Sequence, residues 1–180
     1  MSAPDHILQR RPLTQRRDCA SPSLPCLYLS SPVHSAVVNG QKALLQRLIT
    51  DDPRLGNWPD QFGRTPLMYC VLADRQECAE LLVKARVDVE KADKNQRTAL
   101  HFAAKKGNWR ILKLLLAKRA SPLQRDVEGI TPLHLATYST SVRCLVLLLR
   151  HLEPGQVDAQ DNHKASITDA DKDRIRCHRA

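Results

Sequence analysis

The feature that most constrains this chain is a phrase that returns every 33 residues. Thr65-Pro66-Leu67-Met68 comes back as Thr98-Ala99-Leu100-His101 and again as Thr131-Pro132-Leu133-His134, with both intervals 33 residues long. A weaker copy, Ser31-Pro32-Val33-His34, stands 34 residues before the first. The rest of each unit keeps phase. Five residues after each Thr or Ser comes a small residue: Ala36, Cys70, Ala103, Ala136. Thirteen after come Leu44, Cys78, Ile111 and Cys144, seventeen after come Leu48, Leu82, Leu115 and Leu148, and eighteen after come Ile49, Val83, Leu116 and Leu149. Self-similarity at a fixed period of this length predicts a stack of equivalent units in place of one central core.

Each unit reads as two helices. Pro66 and Pro132 suit a first helical turn, where a missing N–H costs nothing, and the preceding Thr is a natural N-cap. The first helix is short and ends near Gly40 or Gly107, where a left-handed residue reverses the chain. The second carries the Ile111, Leu112, Leu115, Leu116 stripe of one buried helical face. Turn formers link the units: Asp60-Gln61-Phe62-Gly63, Asp93-Lys94-Asn95-Gln96 and Asp126-Val127-Glu128-Gly129.

The Thr-Pro-Leu-His phrase, the period and the helix–turn–helix–finger plan resemble the ankyrin repeat over about residues 31–161. The resemblance implies an all-α solenoid of about four helix–turn–helix units with β-turn fingers, at 31–60, 61–94, 95–127 and 128–161. Neighbouring units then supply the core that no unit can build alone. The runs Asp60–Arg75, Gln96–Asn108 and Pro154–Asp161 further resemble the opening repeats of inversin-type scaffolds. That narrower resemblance implies a cytoplasmic, cilium-associated scaffold in Wnt-type signalling.

The pattern departs from the family in three ways. Arg86 and Arg119 stand where glycine usually follows the second helix, and each costs about 1 kcal/mol if its φ is positive. Asp74 and Thr140 replace the glycine that reverses the chain between the helices, and Asp tolerates that conformation better than Thr. After Asp161 a fifth unit stumbles, and Thr168 to Ala180 has no apolar stripe. Residues 162–180 are therefore expected to be a polar tail from a broken repeat in a truncated product, leaving Leu145, Leu148 and Leu149 uncovered. Residues 1–30, broken by prolines and Arg pairs, read as a flexible extension in which Leu27, Tyr28 and Leu29 are candidates to cover the first unit.

Candidate chemistry is thin. His34, His101 and His134 form a column, but copies one repeat apart sit about 10 Å from each other, too far to share an ion at bonds of roughly 2 Å. Each is expected to bond neighbouring backbone, as the family resemblance implies. Cys78 and Cys144 fall in a core column and Cys70 among the small residues, so all three read as buried hydrophobes. No C-x-x-C pair, phosphate loop, HExxH or paired carboxylates occur, so no cofactor, metal or small-molecule substrate is expected, and the chain is read as a non-enzyme. Nor does any stretch reach the roughly 20 apolar residues of a membrane span.

Surfaces remain. The net charge of +9 is uneven: residues 95–127 hold eight Lys and Arg against one acid, Asp126. The resemblance places partner binding on finger tips and exposed first-helix positions. Carried onto this chain, these are Phe62, Arg64, Lys94, Arg97, Val127, Glu128 and Ile130 from the fingers, and Leu72, Lys105, Lys106 and Tyr138 from the helices. Phe62, Leu72, Ile130 and Tyr138 are apolar where water is expected, which suits a protein partner. The expectation is a monomer that binds a protein. The alternative is a basic module meeting nucleic acid or anionic lipid through Lys105, Lys106, Arg110, Lys113, Lys118 and Arg119.

Overall fold

The computed structural model describes residues 31–139 and 141–152. Thr140, both terminal segments, and with them Leu27–Leu29, Cys19, Cys26, Cys177 and the 162–180 tail lie outside the described residues. Eight helices fill the described chain: α1 (Pro32–Val38), α2 (Lys42–Asp51), α3 (Pro66–Leu72), α4 (Gln76–Lys84), α5 (Ala99–Lys106), α6 (Trp109–Ala117), α7 (Pro132–Tyr138) and α8 (Val142–Leu149). No strand occurs among the described residues. The odd-numbered helices stack on one another as an inner layer, and the even-numbered helices stack as an outer layer. The fold is the expected all-α solenoid.

Local chemistry explains the helix starts. Pro32, Pro66 and Pro132 occupy the first turns of α1, α3 and α7 behind Ser31, Thr65 and Thr131. The Thr65 hydroxyl accepts from Met68 N at 3.4 Å and the Ser31 hydroxyl from Val33 N at 3.4 Å. The core is one aliphatic cluster running the length of the stack, with Leu67, Leu82, Leu100, Ile111, Leu115 and Leu148 among its buried members. Cys70, Cys78 and Cys144 are buried in it with free thiols. Burial pushes all three thiols above their ordinary value.

The extra residue of the first interval falls after α2. A turn of 3-10 helix, Pro53–Asn57, absorbs it, and Gly56 within that turn lies so close to the next repeat that a Cβ there would meet Val87 Cγ1 at 2.7 Å.

Two expectations about the core need correction. Leu44 shares a column with Cys78, Ile111 and Cys144, yet it is 42% exposed while those three are buried. A residue in this column packs against the repeat before it, and α2 has no described helix before it. Leu48 is only partly buried for the same reason. At the other end, Leu145 and Leu148 are buried, and Leu149 is only half exposed. They pack inward on α6 and α7, so the open face of the fourth repeat is smaller than the helical stripe predicts.

Four non-glycine residues hold a left-handed backbone. Asp74 (φ 53°), Arg86 (φ 57°) and Arg119 (φ 62°) are those expected from the missing glycines, and Gln96 (φ 59°) is one that was not.

Candidate functional site

The fingers are held by one aspartate each. Asp60 Oδ1 accepts from the backbone N–H of Phe62 at 2.8 Å and of Arg64 at 2.7 Å. Asp93 does the same for Asn95 and Arg97, both at 2.9 Å. Asp126 does so for Glu128 at 3.0 Å and Ile130 at 2.9 Å. Two N–H donors on one carboxylate oxygen lock the turn, because the tip has no other partner for them. Successive fingers are also tied: Lys94 N donates to Phe62 O at 3.0 Å and Val127 N to Asn95 O at 3.1 Å. The finger side chains are thus presented at fixed spacing.

The histidine column fastens fingers to inner helices. His101 Nδ1 accepts from Thr98 N at 3.2 Å, and His134 Nδ1 from Thr131 N at 3.2 Å. A peptide N–H can only donate, so Nδ1 is bare and Nε2 carries the proton. That proton goes forward: His101 Nε2 lies 3.2 Å from Ile130 O, and His34 Nε2 lies 3.1 Å from Arg64 O. The backbone role expected for this column is what the geometry shows. Met68 fills the position in the second repeat, and His134 Nε2 is buried without a partner among the described residues. Burial lowers the basicity of His34 and His101 more than their carbonyl partners raise it.

Between fingers and inner helices runs a groove of about 480 Å³, lined by Arg64, Leu72, Arg97, Lys105, Lys106 and Ile130 together with Glu128 and Leu135. Seven of the eleven residues expected at a partner surface meet there: Arg64, Leu72, Arg97, Lys105, Lys106, Glu128 and Ile130. Phe62, Lys94, Val127 and Tyr138 do not line it. Phe62 flanks the rim, with the Arg64 guanidinium 5.2 Å over its ring. Val127 is 56% and Tyr138 81% exposed, so both stand in water outside the groove.

Sequence reasoning missed the groove's floor. Phe102 lies under two guanidinium groups, Arg64 at 5.9 Å and Arg97 at 5.7 Å from its ring centre. Stacking of this kind orients each planar cation while leaving its edge for hydrogen bonds. The signal was present in the column four residues after each Thr, which reads Tyr69, Phe102, Leu135.

The basic belt of the third repeat divides. Lys105 and Lys106 face the groove, and Lys106 Nζ reaches Leu72 O at 3.3 Å. Arg110 belongs to the outer layer, where its guanidinium lies 5.0 Å over Trp109 and that of Arg143 lies 5.2 Å over the same ring. Trp109, Lys113, Arg143 and Arg150 line a separate, shallower depression there.

Models of ankyrin repeats match the chain in three places: one described as three copies over residues 19–93, one as many copies over 82–136, and one as a single repeat over 128–162. Among curated relatives, inversin of Gallus gallus is 57% identical over 146 residues and inversin of Homo sapiens is 59% identical over 136. These alignments take in 79% and 76% of this chain but 13% of either relative, so the chain spans about an eighth of their length. The p105 subunit of nuclear factor NF-kappa-B of Gallus gallus is 28% identical over 125 residues, which cover 65% of this chain and 13% of that protein. With the 33-residue period, paired helices, Asp-locked fingers and histidine column all in place, the chain belongs to the ankyrin-repeat family.

Proposed function

We propose that this chain is a non-catalytic protein-binding module that takes its partner in the groove between fingers and inner helices. The observation that carries this reading is the meeting of Leu72, Ile130 and Leu135 with four cationic side chains in one indentation. Apolar anchors ringed by charge are what a protein interface offers. Family membership supports an interaction module, and the thiols held protonated by burial argue against nucleophilic catalysis. The similarity to inversin supports a narrower reading: an inversin-like scaffold element, monomeric, cytoplasmic and cilium-associated, in Wnt-type signalling. No helix among the described residues is long and apolar enough to cross a membrane.

The second reading, phosphate binding by the basic third repeat, draws on the outer depression around Trp109, Lys113, Arg143 and Arg150. It is the weaker one, because the belt is split between two surfaces and Arg110 and Arg143 already lie over Trp109.

The test uses the full chain as bait for proximity labelling in ciliated cells, with imaging of its position. Replacing the groove's apolar residues Leu72, Ile130 and Leu135 by Ala is expected to remove specific partners, each anchor contributing about 1–3 kcal/mol. Retention of the same partners by that variant, with loss on charge reversal at Arg110 and Lys113, would overturn the groove in favour of the outer patch.

A further inference from the structure

We propose that the groove is built for an extended acidic segment of the partner protein, with Arg64 and Arg97 as its carboxylate receptors. The inference rests on the groove reading above and adds the chemistry of the occupant.

Charge is the first argument. Four cations line the groove, Arg64, Arg97, Lys105 and Lys106, against two carboxylates, Asp126 and Glu128. Asp126 is committed to its finger, where Oδ1 accepts from both Glu128 N and Ile130 N. The surplus is therefore positive at the place where apolar side chains are also on offer.

The state of the two arginines is the second. Arg64 makes no ion pair among the described residues. Arg97 has a single carboxylate neighbour, Asp93, whose Oδ2 lies 3.6 Å from Arg97 Nε, too long for a hydrogen bond. Asp93 Oδ1 is already taken by Asn95 N and Arg97 N. Both guanidinium groups lie over Phe102, their central carbons 5.9 and 5.7 Å from the ring centre. A planar cation braced by an aromatic ring and facing a groove is arranged to receive a carboxylate on its outer edge in two-pronged fashion.

The third argument selects a peptide over a nucleic acid. A strand without sequence readout is held by bases stacking on open aromatic faces. Phe102 is 9% exposed and overlaid by two cations, so it has no face to offer. Leu72, Ile130 and Leu135 give an apolar side chain somewhere to go. Acidic residues alternating with aliphatic ones match both the surplus of cations and the apolar lining.

The probe is a fluorescein-labelled peptide of alternating Glu and Leu, titrated with the full chain by anisotropy at low and moderate salt. Its Gln–Leu counterpart, a single-stranded oligonucleotide of equal length and phosphatidylserine vesicles complete the set. The Glu peptide is expected to bind at least ten-fold more tightly than the Gln peptide and to be displaced by neither the oligonucleotide nor the vesicles. Arg64→Gln with Arg97→Gln is expected to weaken it at least ten-fold. Arg64→Lys with Arg97→Lys keeps the charge but loses the planar fork, and is expected to fall between. Lys105→Gln with Lys106→Gln changes two exposed side chains that leave the core untouched, and its effect is expected to shrink as salt rises. Circular dichroism checks that each variant is folded. No binding of the Glu peptide, equal binding of the Gln peptide, or indifference to the folded Arg variants overturns the proposal, as does stronger binding of the oligonucleotide or vesicles at the same residues. If cellular partners depend on Ile130 but not on Arg64 and Arg97, the groove stands and its acidic occupant falls. If they depend on neither, the groove itself falls.

Discussion

Gln96 holds, at φ 59°, the finger position that Gly63 holds at φ 78° and Gly129 at φ 76°. The turn demands a left-handed residue there, and the third repeat supplies one with a side chain. Arg86 and Arg119 do the same after the second helices. Each pays a steric cost between Cβ and backbone that glycine avoids.

Replacing Gln96, Arg86 or Arg119 by Gly is therefore expected to stabilise the chain, by about 0.5–1 kcal/mol each after the entropy gained by the unfolded chain is subtracted. All three side chains are exposed, so little packing is lost. Gly107→Ala should do the opposite, since a Cβ there would sit 2.9 Å from Ser141 Cβ at φ 71°. Urea unfolding midpoints check both signs, and a destabilising Arg119→Gly would contradict the account.

The histidine column gives a differential prediction. His101→Ala strips a buried bond to Ile130 O and leaves that carbonyl with one partner fewer, at a cost of about 1–3 kcal/mol. His134 keeps only its cap contacts, because its Nε2 has no partner among the described residues. His134→Ala should then cost less than His101→Ala in thermal unfolding. Equal costs would mean that His134 Nε2 does have a partner in solution.

Acid should weaken the fold through the same column. Burial lowers the folded pKa of His34 and His101 below 6.5, so the unfolded chain binds protons first as pH falls. Stability is fully present above about pH 6.5 and is lost as pH drops through the folded values. A urea midpoint flat above that point and falling below it is expected. His101→Gln should flatten the slope, and an unchanged slope in that variant would exclude His101 as a source.

Hydrogen exchange should be faster in the fourth repeat than in the third. In a nearest-neighbour stack the end unit has one interface instead of two. Amides of α8 are expected to exchange before those of α6. Equal protection would indicate that residues beyond 152 cover the end, and would remove the case for a broken fifth repeat.

The fold was legible because its period is written in residues that each have one local job. Thr65, Pro66, Thr131 and Pro132 start helices, and Asp60, Asp93 and Asp126 lock turns, without reference to distant contacts. The ends were read less well. Leu44 and Leu148 sit in equally apolar columns, and only the presence or absence of a neighbouring helix decides which is exposed. The groove was legible as far as finger and rim positions go. Phe102 was missed because it is buried: a search for exposed apolar residues finds Tyr138 and passes over the ring that organises Arg64 and Arg97.

The two histidine bonds that cross between repeats, His34 to Arg64 and His101 to Ile130, both run to the finger that follows and not to the one before. The stack therefore has an arrow. In each such pair the earlier repeat supplies the donor and the later one the carbonyl. The two faces of such a repeat are therefore not interchangeable: one offers a proton and the other a lone pair, even where their helices look alike.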